Sequence, residues 1–396
     1  MLRCIITNFH RAQLFHKVKL FRPIMNQRSK SGPFGYIQTK ALVFSKYGEP
    51  NEVLSLHQHS ITPSIPPNSI VLKTLASPIN PADINQIQGT YPSRPAFTPL
   101  LGTTLPCAVA GNEGCFEVVS IGSLVTTISR GDWVVIKSPA FGTWRTHALA
   151  QEDDVLRIEK EGISPIQAAT ISVNPCTAYR LLKDFENLDK GDWWIQNGAN
   201  SGVGRAAIQL GKIWGLRSIN VIRERSDSTS TEALRKELLD LGATHVLTEK
   251  ELMDRNIRDR IMELTDGGKE NVKLGLNCVG GKATTALVKC LGKGGHLVTY
   301  GGMARQPLQL PTGRLIFDDL RFSGFWVSRW AADNPEEKKR MLNEILNLIR
   351  IGSLRDNHYQ EIKWTWDTEL HVLKDAIRGT LDGYRSGKSI FTFIDT

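Results

Sequence analysis

One stretch restricts the fold of this chain more than any other. A strand pattern, Asp192–Asn197, leads straight into Gly198-Ala-Asn-Ser-Gly202-Val-Gly204, and the apolar-periodic segment Arg205–Trp214 follows. A strand, a glycine-rich turn and a helix form the context in which such a pattern holds a dinucleotide. Gly202 and Gly204 let backbone N–H groups approach a pyrophosphate at the helix N-terminus. The alternative is an ordinary strand-to-helix turn.

The surroundings repeat the theme. From about Pro165 onward strands and helices alternate. Trp193–Asn197, Ser218–Ile222, His245–Thr248, Leu274–Val279, His296–Tyr300 and Phe322–Val327 read as strands, with helical patterns such as Glu232–Leu241 between them. Six strands with intervening helices predict a doubly wound parallel sheet. A helix over Pro335–Ile351 follows. Residues 36–172 have another texture: short strand patterns at Lys40–Phe44, Ser69–Leu75, Cys115–Ser120 and Trp133–Ser138, broken by Gly and Pro clusters. They predict a compact β-rich domain. The C-terminal strand pattern Ser389–Ile394 is placed to return to that domain. The expected division is therefore 36–172 completed by 362–396, and 173–361 for the dinucleotide domain. A chain of 396 residues is comfortable for two such units.

The formal net charge of +9 invites a nucleic-acid reading, but seven of the basic residues lie in the first 30, a segment with no acid; the first acidic residue is Glu49. The rest of the chain carries only +2, a poor electrostatic footprint for nucleic acid. The segment MLRCIITNFHRAQLFHKVKLFR is Arg-containing, amphipathic and acid-free, the composition of a mitochondrial transit peptide. Residues 1–35 are expected to be that peptide and its linker, with cleavage between Phe21 and Gly35. A basic tail on a cytosolic protein is the other reading. No apolar run reaches membrane-spanning length.

The six cysteines, at 4, 107, 115, 176, 278 and 290, include no Cys-x2-Cys pair, so no structural zinc site and no metal is expected. At the end of the second dinucleotide-domain strand stand Arg223-Glu224-Arg225. Two guanidinium groups there suit the 2′-phosphate of NADP. Glu224 leaves an NAD ribose contact open.

Three stretches together resemble the medium-chain dehydrogenases/reductases: Asn80-Pro-Ala-Asp83, Gly111-Asn-Glu-Gly114 with Val118-Val119 and Gly122, and the glycine loop. The likeness covers residues 38–396. Zinc enzymes of that superfamily carry a ligand His where this chain has Asn112, and a four-cysteine lobe that it lacks, so it resembles the zinc-free branch. Longer runs narrow the likeness. Asn80 to Pro92 with Tyr91, Gly142-Thr-Trp144-Arg145, Asn174 to Tyr179, Gln196 to Gly204 and Tyr300-Gly-Gly-Met303 are similar to the mitochondrial 2-enoyl thioester reductases. That resemblance implies a GroES-like β-rich catalytic domain plus a Rossmann domain, α/β overall, in a homodimer located in the mitochondrial matrix. It implies NADPH-dependent reduction of enoyl-acyl carrier protein or enoyl-CoA in mitochondrial fatty-acid synthesis. It implies Tyr91 as catalytic residue, and cofactor contacts at Asn174, Asn200, Ser201, Gly202, Val203, Arg223, Glu224, Arg225, Tyr300, Gly301, Gly302, Met303, Phe325, Trp326, Val327 and Lys388. Gly198 departs from many relatives, which carry another small residue there.

The chemistry asks for such a residue. Hydride addition at C3 of an enoyl thioester leaves an enolate that needs a proton at C2 and stabilisation at oxygen. With no metal, a tyrosine hydroxyl can donate, and Tyr91 sits in a Gly/Pro-bounded loop. Trp326, Trp144 and Arg145 read equally as pocket lining or core. The rival readings are a zeta-crystallin-type NADPH quinone reductase and a non-catalytic NADPH-binding or RNA-binding protein.

Overall fold

The computed structural model describes residues 32–266, 271–381 and 387–396; the expected transit peptide lies almost wholly outside them. Six parallel strands form one sheet in the order His245–Thr248, Arg217–Ile222, Trp193–Gln196, Val272–Asn277, His296–Thr299, Arg321–Gly324. All four residues of the central strand, Trp193, Trp194, Ile195 and Gln196, are buried, as a parallel sheet covered on both faces requires. The order reverses between Trp193–Gln196 and Val272–Asn277. The crevice at the carboxyl ends of those two strands is where open α/β sheets bind ligands.

In this sheet the predicted strands Leu274–Val279 and Phe322–Val327 fall short by more than one residue, each for a local reason. Leu274–Val279 gives way after Asn277, because side chains take over the next backbone donors: Cys278 N–H bonds Asn197 Oδ1 at 2.9 Å and Val279 N–H reaches Asn277 Oδ1 at 3.3 Å. Phe322–Val327 stops at Gly324. Phe325 N–H still bonds Thr299 O at 2.9 Å, and then Trp326 starts the helix Val327–Asp333.

The β-rich part holds a second sheet, in the order Tyr359–Trp364, Lys388–Phe393, Ser69–Pro78, Cys115–Ile121, Trp133–Ile136, Val155–Ile158, with His147–Gln151 also paired to Ser69–Pro78. The C-terminal strand Lys388–Phe393 runs antiparallel to Ser69–Pro78, with Ile390 opposite Pro78. A small sheet of Ser55–Ile61, Ile37–Phe44 and Ala108–Val109 completes this part. One hydrophobic core joins the two parts: Ala76, Cys115, Val135 and Ile390 from one side meet Trp194, Ala206, Leu274 and Ile345 from the other. The helix Pro335–Arg350 adds a polar strut, its Lys338 donating across to Lys137 O at 2.6 Å. The cleft between the parts is therefore held between packed surfaces.

Candidate active site

The glycine loop forms the expected turn. Gly198 stands at φ +60 and starts it. Ser201 caps the helix Gly202–Ile213, its Oγ accepting from Gly204 N–H at 3.1 Å. A Cβ on Gly202 would lie 2.6 Å from Asn174 Nδ2, so glycine is what lets the Asn174 amide rest on the loop. Arg205, ion-paired to Glu237, donates through Nε to Asn200 O at 3.0 Å and fixes the loop from behind. Asn174, Asn200, Ser201, Gly202 and Val203 thus come together at the switch point. Below them the amides Asn197 and Asn277 bond each other at 2.7 Å, and Asn277 bonds Thr299 Oγ1 at 3.1 Å, tying the strand ends in register.

The Tyr300 loop leaves the next strand. Tyr300 N–H bonds Asn277 O and Met303 N–H bonds Cys278 O, both at 2.9 Å, which brings Gly301 and Gly302 over the crevice. Met303 is exposed. Phe325 packs edge-on against Phe185, with Trp326 and Val327 next to it in the chain. Arg223 and Glu224 are exposed at the end of Arg217–Ile222, and line a surface depression with Glu249, Lys250 and Asp254. Arg225 is held through its N–H to Thr231 Oγ1 at 3.0 Å. Lys388 and Asn174 line a separate, narrow cleft between the two parts of the chain.

Tyr91 lies across the crevice on a loop carried by the helix Pro81–Ile87. Its N–H bonds Asn85 O at 3.2 Å, and Gln86 Nε2 bonds Ser93 O at 2.9 Å. Trp326 Nε1–H donates to the Tyr91 hydroxyl at 2.9 Å, and the two rings meet edge to face at 5.9 Å. Burial raises the Tyr91 pKa above its ordinary value; hydrogen bonding from Trp326 opposes this and the Asp83 charge adds to it. Trp326 therefore reaches across to the Tyr91 loop. Trp144 does not: it is fully buried against Phe391. Arg145 folds over the Phe141 ring and donates to Phe141 O at 3.0 Å.

The sequence marks Asn80–Asp83 and Asn112-Glu113 as motif positions, but not that they join in a polar network beneath Tyr91. Asn112 Nδ2 donates to Asp83 Oδ1 at 2.7 Å, and its Oδ1 accepts from Gln86 Nε2 at 3.1 Å and Ala140 N–H at 2.6 Å. Asn80 Nδ2 donates to Glu113 Oε2 at 2.9 Å. Burial raises the pKa of Asp83 to about 6 and that of Glu113 in the same direction. The signal was present: Asn112-Glu113 is a polar pair set between the apolar stretches Ala108-Val-Ala110 and Cys115-Phe116.

The alcohol dehydrogenase GroES-like domain family matches residues 66–160, and the zinc-binding dehydrogenase family matches residues 202–347. A curated relative from Yarrowia lipolytica, named a mitochondrial enoyl-[acyl-carrier-protein] reductase, is 48% identical over 78% of this chain and 80% of its own length. The chain belongs to the enoyl-[acyl-carrier-protein] reductase family. A human member, also named mitochondrial, is 41% identical over 90% of this chain and 89% of its own. The structure of Etr1p with NADP and crotonyl-CoA superposes with a TM-score of 0.85 at 40% identity, covering 90% of this chain and all of that one. An Etr1p/Etr2p heterodimer from Candida tropicalis gives 0.84 at 39%, over 90% of this chain. The resemblance seen in the sequence is thereby borne out for family and fold. The zinc in the matched family's name does not fit this member. Its ligand slot holds the amide of Asn112, engaged with Asp83, Gln86 and Ala140, and no group of three His, Cys, Asp or Glu among the described residues could hold a metal.

Proposed function

We propose that this chain reduces trans-2-enoyl thioesters, carried on acyl carrier protein or coenzyme A, with NADPH in mitochondrial fatty-acid synthesis, and that Tyr91 donates the proton. When bound, NADPH supplies a hydride, and C3 of the conjugated thioester is the carbon able to accept it. The residues fit the cofactor: the Gly202 loop, with Asn174 resting on it, offers backbone donors to a pyrophosphate, Arg223 and Arg225 offer guanidinium groups to a 2′-phosphate, and Lys388 and Asn174 share a cleft.

One observation carries the acid assignment. The Tyr91 hydroxyl accepts a hydrogen bond from Trp326, and the Ser328 side chain also bonds it in the sense that favours the ionised form, so both serve it as donors and the phenol keeps its own proton to give. Burial keeps that proton on the phenol. A half-buried, protonated phenol facing the crevice holds a proton at Tyr91 Oη for the charge that develops on C2 and on the thioester oxygen. Asn112 and its partners supply no Lewis acid, so the substrate oxygen must rely on hydrogen-bond donors.

Residues 1–35 act in this reading as the transit peptide, and the enzyme works in the matrix; the relatives named above are called mitochondrial. A second copy pairs with the chain to form a homodimer. Supporting this, Arg321–Gly324 is the last strand of its sheet, and Leu315, Ile316 and Phe317 beside it are exposed by 47%, 63% and 78%, an apolar edge of the kind proteins cover. The deciding experiment is NADPH oxidation by purified protein with crotonyl-CoA set against a quinone. Turnover with the thioester and little with the quinone is expected. The reverse preference would hand the site to quinone reduction.

A further inference from the structure

The buried polar network does more than fill the space left by a metal. Glu113, only 2% exposed, uses both carboxylate oxygens. Oε1 accepts from Val173 N–H at 2.9 Å, and Oε2 accepts from Asn80 Nδ2 at 2.9 Å. Val173 immediately precedes the helix Asn174–Lys183, so the negative charge sits at a helix N-terminus, where it is favourable. Asn174, the next residue, is the one whose amide rests on Gly202. On the other side, Asn80 Oδ1 accepts from Lys388 Nζ, and Asn80 N–H bonds Asp83 Oδ2 at 2.7 Å at the start of the helix that carries the Tyr91 loop. Asn80 and Asp83 are as buried as Glu113.

We propose that Glu113 is a positioning residue, a carboxylate clamp that sets the cofactor loop, through Val173 and Asn174, against the Tyr91 helix and Lys388, through Asn80. The inference rests on the NADPH reading above. A buried acid is costly unless its lone pairs are satisfied, and here satisfaction comes from two parts of the chain that must be in register for reaction. Only an acceptor at both oxygens fits. A glutamine would turn an amide NH₂ toward either Val173 N–H or Asn80 Nδ2, donor against donor. Asn80 cannot flip to relieve this, because its oxygen is held by Lys388.

That geometry dictates the test. Full-length wild type, Glu113→Gln, Asn80→Asp and the double variant are compared by NADPH titration, thermal melting and enoyl-CoA turnover. Glu113→Gln should fold, and should raise the Kd for NADPH by roughly tenfold, the effect of losing one well-made charge-assisted bond. The double variant restores a donor–acceptor match. Its new glutamine amide donates to the new carboxylate at position 80, which still accepts from Lys388, and most of the lost affinity should return. If Glu113→Gln fails to fold, Glu113→Asp takes its place; its shorter reach cannot hold both donors, and a Kd raised to a similar extent is expected. A folded variant with lowered Tm but wild-type NADPH affinity would overturn the clamp, as would a double variant no tighter than Glu113→Gln. Wild type that does not bind NADPH would instead sink the cofactor reading.

Discussion

Replacing Tyr91 by Phe removes one oxygen atom and leaves the ring. The edge-to-face contact with Trp326, at 5.9 Å and 88°, is retained, and with it the ~0.5–1.5 kcal/mol such a pair contributes. What is lost structurally is the acceptor for the Trp326 indole N–H, about 1 kcal/mol for a neutral bond in a half-buried place that water can partly re-satisfy. The catalytic loss is larger. Removing a general acid lowers kcat by about 10²–10⁴, which is roughly 3–5 kcal/mol on the barrier. The two effects are separable because they differ in size and in readout. Steady-state NADPH oxidation with crotonyl-CoA should show the fall in kcat, while KM and the NADPH Kd stay within about threefold, since the lost interaction is made in the transition state. Circular dichroism should be unchanged. Because burial holds the Tyr91 pKa above its ordinary value, wild-type kcat should show no loss from Tyr91 ionisation through neutral pH. A variant with kcat within about threefold of wild type would refute the acid role. A variant whose NADPH Kd rises as much as kcat falls would make Tyr91 a cofactor contact instead.

Other perturbations test other parts. Arg223→Ala with Arg225→Ala should raise KM for NADPH at least about tenfold more than for NADH, since each charge-assisted phosphate bond contributes roughly 1.5–3 kcal/mol; equal weakening of both would mean the pair does not read a 2′-phosphate. Gly198→Ala places a Cβ 2.5 Å from Cys278 Sγ on a backbone at φ +60, and should cost at least the ~1–2 kcal/mol of left-handed strain. Adding Cys278→Ala should return the steric part only, and chemical denaturation showing Gly198→Ala as stable as wild type would refute the close approach. His147 is buried, with its pKa lowered to about 4 by burial and then by Lys73. The unfolded chain therefore binds the proton first as pH falls below 6.5, and stability present above that value is lost towards pH 4, about 2 kcal/mol of it at pH 5. His147→Gln should flatten that acid limb; an unchanged Tm–pH profile would place the loss elsewhere.

The dinucleotide part was legible because its signals are local. Trp193-Trp-Ile195 is a short apolar run followed two residues later by the glycine turn, and the strand order follows from the crossover rule once the alternation is seen. Ser55–Ile61 and Tyr359–Trp364 were missed for the opposite reason. Their sequences, SLHQHSI and YQEIKW, are largely polar, and both lie at sheet edges, so pairing with a neighbour, not their own pattern, makes them strands. The site shows the same division. Gly202 and Ser201 announce themselves in sequence. The Tyr91–Trp326 bond joins residues 235 positions apart, and the Glu113 clamp links four segments, which spacing along the chain does not reveal.

The placement of Asp83 beneath Tyr91 has a chemical consequence in the proposed reaction. A cation there would pull the phenol toward ionisation and spend its proton before it is needed. The structure puts a buried carboxylate in that place, its pKa raised to about 6 by desolvation against the hydrogen bonds from Asn80 and Asn112 and the nearby Lys388 charge. At neutral pH it is mostly ionised, and its field, added to burial, holds the proton on Tyr91. Donation is then favourable only once negative charge has developed on the substrate across the crevice, because that charge is what the proton moves toward. A zinc-binding imidazole at position 112 would reverse the arrangement by bringing a cation to Asp83. The Asn112 amide, donating to Asp83 and accepting from Gln86 and Ala140, keeps the site anionic beneath the phenol and leaves the acid chemistry to the tyrosine.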